Sequence, residues 1–140
     1  MNQVRTISTS IDIPVSVVYD FIAEPSNLPR WSFFVRSAKR DGDVWQVATQ
    51  GGVALMRFVG RNDFGVVDHW VRSESGAAEI YVPLRVVANG HGSEVMFTVF
   101  RLPEMDDTAF ENDVALVQKD LANLKSVLES GNADPSRKRE

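Results

Sequence analysis

The sequence predicts an α+β fold: a curved antiparallel seven-stranded sheet wrapped around one long C-terminal helix, with two short helices after the first strand. Three observations carry this. Apolar and polar residues alternate through most of the first hundred positions, the period of half-buried strands. Compact turn signals interrupt the alternation at Asp41-Gly42, Gly51-Gly52, Arg61-Asn62-Asp63-Phe64, Ser73-Glu74-Ser75-Gly76 and Asn89-Gly90-His91-Gly92. Finally, Phe110, Val114, Val117, Leu121, Leu124 and Leu128 recur at spacings of three and four between Asp106 and Ser130, a narrow helical stripe.

Taken in order, Val4 to Ile13 alternates as a strand with Ile7, Ile11 and Ile13 on one side. Pro14 suits the first turn of a short helix through Val17, Val18, Phe21 and Ile22. Glu24-Pro25 to Leu28-Pro29 breaks it, and Leu28 and Trp31 fall on a second helical turn. A meander of strands follows, its register set by the turns. With Asn89 to Gly92 as loop, Ala88 faces Ser93, Val86 faces Val95, Leu84 faces Phe97 and Val82 faces Val99. The other face of that hairpin sets Val87 against Glu94 and Arg85 against Met96, with Arg85 diagonal to Glu94.

With Ser73 to Gly76 as loop, Val71 meets Ala78, His69 meets Ile80 and Val67 meets Val82. With Arg61 to Phe64 as loop, Phe58 meets Val67, Met56 meets His69 and Arg57 meets Asp68. A two-residue turn at Gly51-Gly52 sets Val47 against Met56 and Trp45 against Phe58. One face thus collects Trp45, Val47, Met56, Phe58, Val67, His69, Val71, Ile80, Val82, Leu84, Phe97 and Val99. At the Asp41-Gly42 hairpin the simplest register adds Phe34, Arg36 and Ala38, unless a bulge removes Arg36. For the long helix, Asp106 or Asp107 is the expected N-cap and Gly131 the stop.

Composition narrows the functional classes. At 140 residues one domain is expected over residues 1–131, followed by a solvated, disordered tail at 132–140 carrying Arg137-Lys138-Arg139. The chain has no cysteine, which excludes disulfides, thiolate metal sites and a cysteine nucleophile. A formal net charge of −4 leaves no electrostatic footprint for nucleic acid. The first residues lack the apolar core of a signal peptide and no run spans a bilayer, so a cytoplasmic protein without membrane insertion is expected.

A strand, two short helices, a strand meander and a long C-terminal helix make the helix-grip order. With the Asp/Glu-Pro…Leu-Pro…Trp pattern at Glu24-Pro25 to Leu28-Pro29-Arg30-Trp31, and with Phe64-Gly65-Val66-Val67-Asp68-His69 and Val82-Pro83-Leu84-Arg85-Val86-Val87, the chain resembles the START/Bet v 1-like (SRPBCC) superfamily. Within that superfamily it resembles bacterial polyketide cyclase/dehydrase-like proteins. The resemblance covers about residues 4 to 130. It implies a cavity between helix and sheet and no shared catalytic motif, so function rests on the site itself.

His69 is the first candidate, on the apolar face among Met56, Phe58, Val67 and Ile80. It is either a core histidine bonded to a backbone carbonyl or water, a ligand contact, or a general base. Asp68 points to the opposite face and makes no dyad with it. His91 sits in a glycine-flanked turn. No HExxH or histidine–carboxylate cluster appears, so neither a metal nor another cofactor is expected. No GxSxG elbow or phosphate-loop spacing appears either. The expected ligand wall comprises Trp31, Phe34, Trp45, Val47, Met56, Phe58, His69, Ile80, Val82 and Phe97, with Phe110, Val114 and Val117 from the helix. Arg36, if inward, would pair with an anionic ligand group.

Three functions follow: a carrier of a small hydrophobic or amphipathic molecule (lipid, polyketide or aromatic metabolite), a cyclase/dehydratase with His69 as acid/base, or an interaction module like the Hsp90 co-chaperone relatives. The carrier is favoured, because the apolar face bears few polar groups. The apolar outer face at Leu55, Trp70, Tyr81, Met96 and Phe100 leaves a homodimer open.

Overall fold

The computed structural model describes residues 1–76 and 78–131. The elements run β1 (Val4–Ile11), α1 (Val15–Ile22), a 3-10 turn (Pro25–Asn27), α2 (Leu28–Trp31), β2 (Val35–Asp41), β3 (Val44–Thr49), β4 (Gly52–Phe58), β5 (His69–Ser73), β6 (Ile80–Val82), β7 (Leu84–Asn89), β8 (Gly92–Phe100) and α3 (Asp107–Glu129). The fold is α+β with antiparallel sheets and a long C-terminal helix, as the sequence pattern predicts. The expected tail at 132–140 lies outside the described residues.

The single seven-stranded sheet is corrected. Among the described residues the strands form two sheets, ordered β1-β8-β7 and β2-β3-β4-β5-β6. The break falls at Pro83, which has no N–H to donate and splits one predicted strand into β6 and β7. Val82 pairs with His69 of β5 and not with Val99. A few backbone bonds stitch the sheets together: Val67 N–H to Leu84 O at 2.7 Å, Val86 N–H to Gly65 O at 2.9 Å and Thr98 N–H to Pro83 O at 3.0 Å.

The β7–β8 hairpin has the predicted register, with Leu84 opposite Phe97 and Val86 opposite Val95. The other three predicted pairings are each displaced by two residues. Trp45, not Val47, faces Met56. Phe58 faces His69, and Met56 faces Val71. Val71 faces Ile80. A shift of two changes partners but leaves every side chain on its predicted face. The cause at β4–β5 is the loop at residues 59–68, which is longer than a four-residue turn. Asn62 organises it by accepting from Phe64 N (2.9 Å) and Val66 N (3.2 Å) and donating to Gly60 O and Val66 O. Its own N–H bonds to the Tyr19 hydroxyl of α1 at 2.9 Å.

The two predicted charge pairs are corrected with the register. Arg57 faces Trp70, lies 4.4 Å over its ring and pairs with Glu79. Arg85 turns to Asp68, while Glu94 accepts from Ser10 and Asn89. Trp70 and Tyr81 stand 5.3 Å apart on the outer face, partly covered by that Arg57 guanidinium. A bulge between Val35 and Ser37 leaves Arg36 exposed, outside the ligand wall.

Helix α3 lays its stripe on both sheets. Leu121, Leu124 and Leu128 are sealed with Ile11, Val18, Val47 and Leu84 in the main core, while Phe110 and Val114 pack with Val99 in a second apolar cluster. Asp106 caps the helix, its Oδ1 accepting from Ala109 N at 2.8 Å. Asp106→Ala is expected to cost about 1 kcal/mol, read as a lower urea midpoint with an unchanged slope.

Candidate functional site

Two adjoining hollows lie between α3 and the five-stranded sheet. The inner one, about 200 Å³, sits behind α2 and the inner faces of β3, β4 and β5. The outer one, about 350 Å³, is an open groove that runs along α3 past β6 and β8, with Phe34 in its lining. Val71, Val82, Phe97 and Asp120 line both, so they form a throat between groove and cavity.

Of the sequence-predicted wall, Trp31, Val47, Met56, Phe58, His69, Val82 and Phe97 line the inner cavity. Phe34, Ile80 and Val117 line the groove, again with Val82 and Phe97. Three residues lie elsewhere. Trp45 borders a shallow surface hollow with Gly42 and Arg57. Phe110 and Val114 are enclosed in the second apolar cluster.

His69 begins β5 and is 5% exposed. Its Nδ1 lies 3.0 Å from Val67 O. A carbonyl only accepts, so Nδ1 carries the proton and Nε2 presents a lone pair. Burial holds the ring's pKa below the usual histidine value, against the opposing pull of the Val67 carbonyl and the Asp68 charge. Phe58 lies 4.8 Å away, tilted across the imidazole, and Phe97 meets it edge-on at 6.4 Å. The ring is therefore a neutral acceptor in an aromatic wall. Half of its hydrogen-bonding capacity is met by the loop that leads into its strand, and Nε2 has no protein partner.

Asp68 faces the other way, as strand alternation requires. It accepts from Tyr81 Oη (2.7 Å), Leu84 N (3.0 Å) and Arg85 Nη2 (2.9 Å), a clamp at the sheet junction. Trp31 seals the cavity floor at 3% exposure, and its indole N–H has no acceptor.

Sequence reasoning missed Asp113 and Asp120. With Leu116 and Val117 they line the groove from α3 at helical spacings of three, four and seven. That spacing was the available signal, but both carboxylates sit outside the apolar stripe and read as a solvated face. Burial pushes both carboxyls up from the ordinary aspartate value; at Asp120 the Phe33 N–H and Ser32 hydroxyl bonds oppose it. Among the described residues there is no cluster of three or more metal-ligating side chains, and no helix long and apolar enough to cross a membrane.

Similar folds occur in a Bacillus thuringiensis protein (19% identity, 89% of this chain and 98% of that one, TM-score 0.72). They occur also in a START superfamily protein from Mycobacterium smegmatis (10%, 91% and 94%, TM-score 0.64). The Aha1 dimer from Colwellia psychrerythraea is a third (15%, 92% and 98%, TM-score 0.72). A search of the curated proteins found no match. The profile of the family described as "Polyketide cyclase / dehydrase and lipid transport" matches residues 4–129. With that match spanning every element from β1 to α3, the chain belongs to the polyketide cyclase / dehydrase and lipid transport family.

Proposed function

We propose that residues 1–131 act as one ligand-binding unit, which holds a small, mainly apolar molecule in the groove and cavity beneath α3. The observation that carries this reading is the shared throat of Val71, Val82 and Phe97, through which an open groove leads to a cavity walled by aromatic and aliphatic side chains. Transfer of an apolar body from water to such walls is favourable by about 25 cal/mol per Å² removed from solvent. The few polar groups at the walls serve orientation: the His69 Nε2 lone pair inside, Asp120 at the throat and Asp113 in the groove.

Binding is favoured over catalysis. The alternative, a cyclase/dehydratase with His69 as acid/base, draws support from that same lone pair. Yet burial lowers the affinity of Nε2 for a proton, which weakens it as a base.

The test uses N-phenyl-1-naphthylamine, a neutral fluorophore that brightens in apolar surroundings. Wild type is expected to bind it saturably. Val82→Trp, which fills the throat, is expected to reduce binding at least about tenfold with an unchanged circular dichroism spectrum. Equal fluorescence titrations for the two proteins would refute the proposed site.

A further inference from the structure

The outer groove is apolar except for Asp113, Asp120 and Thr98; no lysine, arginine or histidine lines it. Asp120 is occupied, its oxygens accepting from Phe33 N at 3.0 Å and Ser32 Oγ at 3.1 Å. Asp113, half-buried about two helical turns before Asp120 on α3, accepts no hydrogen bond and joins no ion pair among the described residues. Burial alone pushes its carboxyl up, as expected for an anion with nothing nearby to neutralise it. A carboxylate left this way in an apolar groove is improved by a cation, indifferent to a neutral head group and opposed to an anion.

A second, independent feature points to an occupant. At the far end of the throat His69 is 5% exposed, with Nδ1 tied back to the carbonyl of Val67 on its own chain segment. Its other ring nitrogen is turned away from that bond, in the wall of the inner cavity, and has no protein donor. Phe58 and Phe97 flank that imidazole, so this end of the cavity presents an aromatic wall that a planar ring fits.

Building on the binding reading above, we infer that the ligand is a compact aromatic amine, with its protonated nitrogen at Asp113 and its ring directed through the Val71–Val82–Phe97 throat toward His69. Fatty acids and acidic phospholipids are disfavoured by the same groove, because their head groups would meet two carboxylates and no cation.

The experiment compares three probes with one ring system: 2-naphthylmethylamine, 2-naphthylmethanol and 2-naphthoate. Each is titrated calorimetrically at neutral pH into wild type, Asp113→Asn and Asp113→Lys. Asn matches Asp in shape, removes the charge and exchanges one acceptor oxygen for an amide donor, so folding is expected to be retained, which a thermal melt checks. The amine is expected to bind wild type at least about tenfold tighter than the carboxylate. In Asp113→Asn the amine should lose most of that advantage while the alcohol changes less than about twofold, and in Asp113→Lys the preference should reverse. Equal affinity of amine and carboxylate for wild type, or unchanged amine affinity in Asp113→Asn, would overturn the inference. Binding of the alcohol separates the two readings. If the alcohol binds and charge makes no difference, only the amine assignment fails; if none of the three binds, the ligand-binding reading fails with it.

Discussion

Asp68→Ala is expected to lower stability by about 2–3 kcal/mol, because it leaves a buried backbone donor without its acceptor and removes the carboxylate that Arg85 and Tyr81 share. Asp68 is 5% exposed and holds Tyr81, Leu84 and Arg85 together where the two sheets meet. Arg85 is half-exposed and returns to water when its partner goes. The Leu84 N–H does not, since that residue is 1% exposed, and an orphaned buried donor is the larger part of the cost. Asp68→Asn should fall between, since one carbonyl oxygen can still serve Leu84 while its amide faces the Arg85 and Tyr81 donors. Urea unfolding of the three proteins checks the order.

The same group sets an acid limit. Burial pushes the Asp68 carboxyl up, but Arg85, Tyr81 and the Leu84 N–H outweigh it and hold the carboxyl below its ordinary value. A carboxyl depressed in the folded state stabilises fully above its unfolded pKa, about 3.9, and that contribution is lost as the pH falls through the lower folded value. The stability gap between wild type and Asp68→Ala should therefore hold steady from neutral pH to about pH 4 and narrow below it. A gap that narrowed already at pH 6 would contradict this assignment.

Gly65→Ala is expected to cost about 3 kcal/mol or more, among the largest single effects available outside the core. Gly65 has φ +71°, and a Cβ there would lie 2.1 Å from the Val86 carbonyl oxygen. The strain of the left-handed backbone accounts for about 1–2 kcal/mol. The overlap adds the rest, because it is relieved only by moving Gly65 away from Val86 and stretching the bond from Val86 N–H to Gly65 O. Gly42→Ala is the matched control: φ is +64°, nothing lies within 4 Å of the added carbon, and the strain of about 1–2 kcal/mol stands alone. Thermal melts that ranked the two substitutions equally would show that the sheet junction is not tightly packed.

Both effects fall at a junction the sequence pattern did not reveal. Pro83 was visible, but its consequence depends on what lies beside it. The neighbours are Gly65 to Val67, brought there by a loop whose geometry rests on Asn62 and on the Tyr19 hydroxyl from a distant helix. The β7–β8 hairpin was legible because Asn89 and Gly92 pair directly around a tight turn. At Gly51-Gly52 the glycines marked the turn, yet the chain reverses one residue earlier, with Thr49 opposite Gly52. Asp113 and Asp120 were illegible because a helical wheel places them beside the stripe. Only the seating of α3 against the sheet edge turns them into the groove.

From the residues alone came the faces: His69 with Met56, Phe58 and Val82 inward, Asp68 and Trp70 outward. Side-chain alternation has a period of two and survives any even slip of register, so these assignments needed no partner residues. Which residues oppose one another, where the sheet divides and where the hollow opens came only from the tertiary structure. Those features depend on loop lengths, a proline's missing donor and the seating of a helix, each the outcome of contacts between segments far apart in the chain.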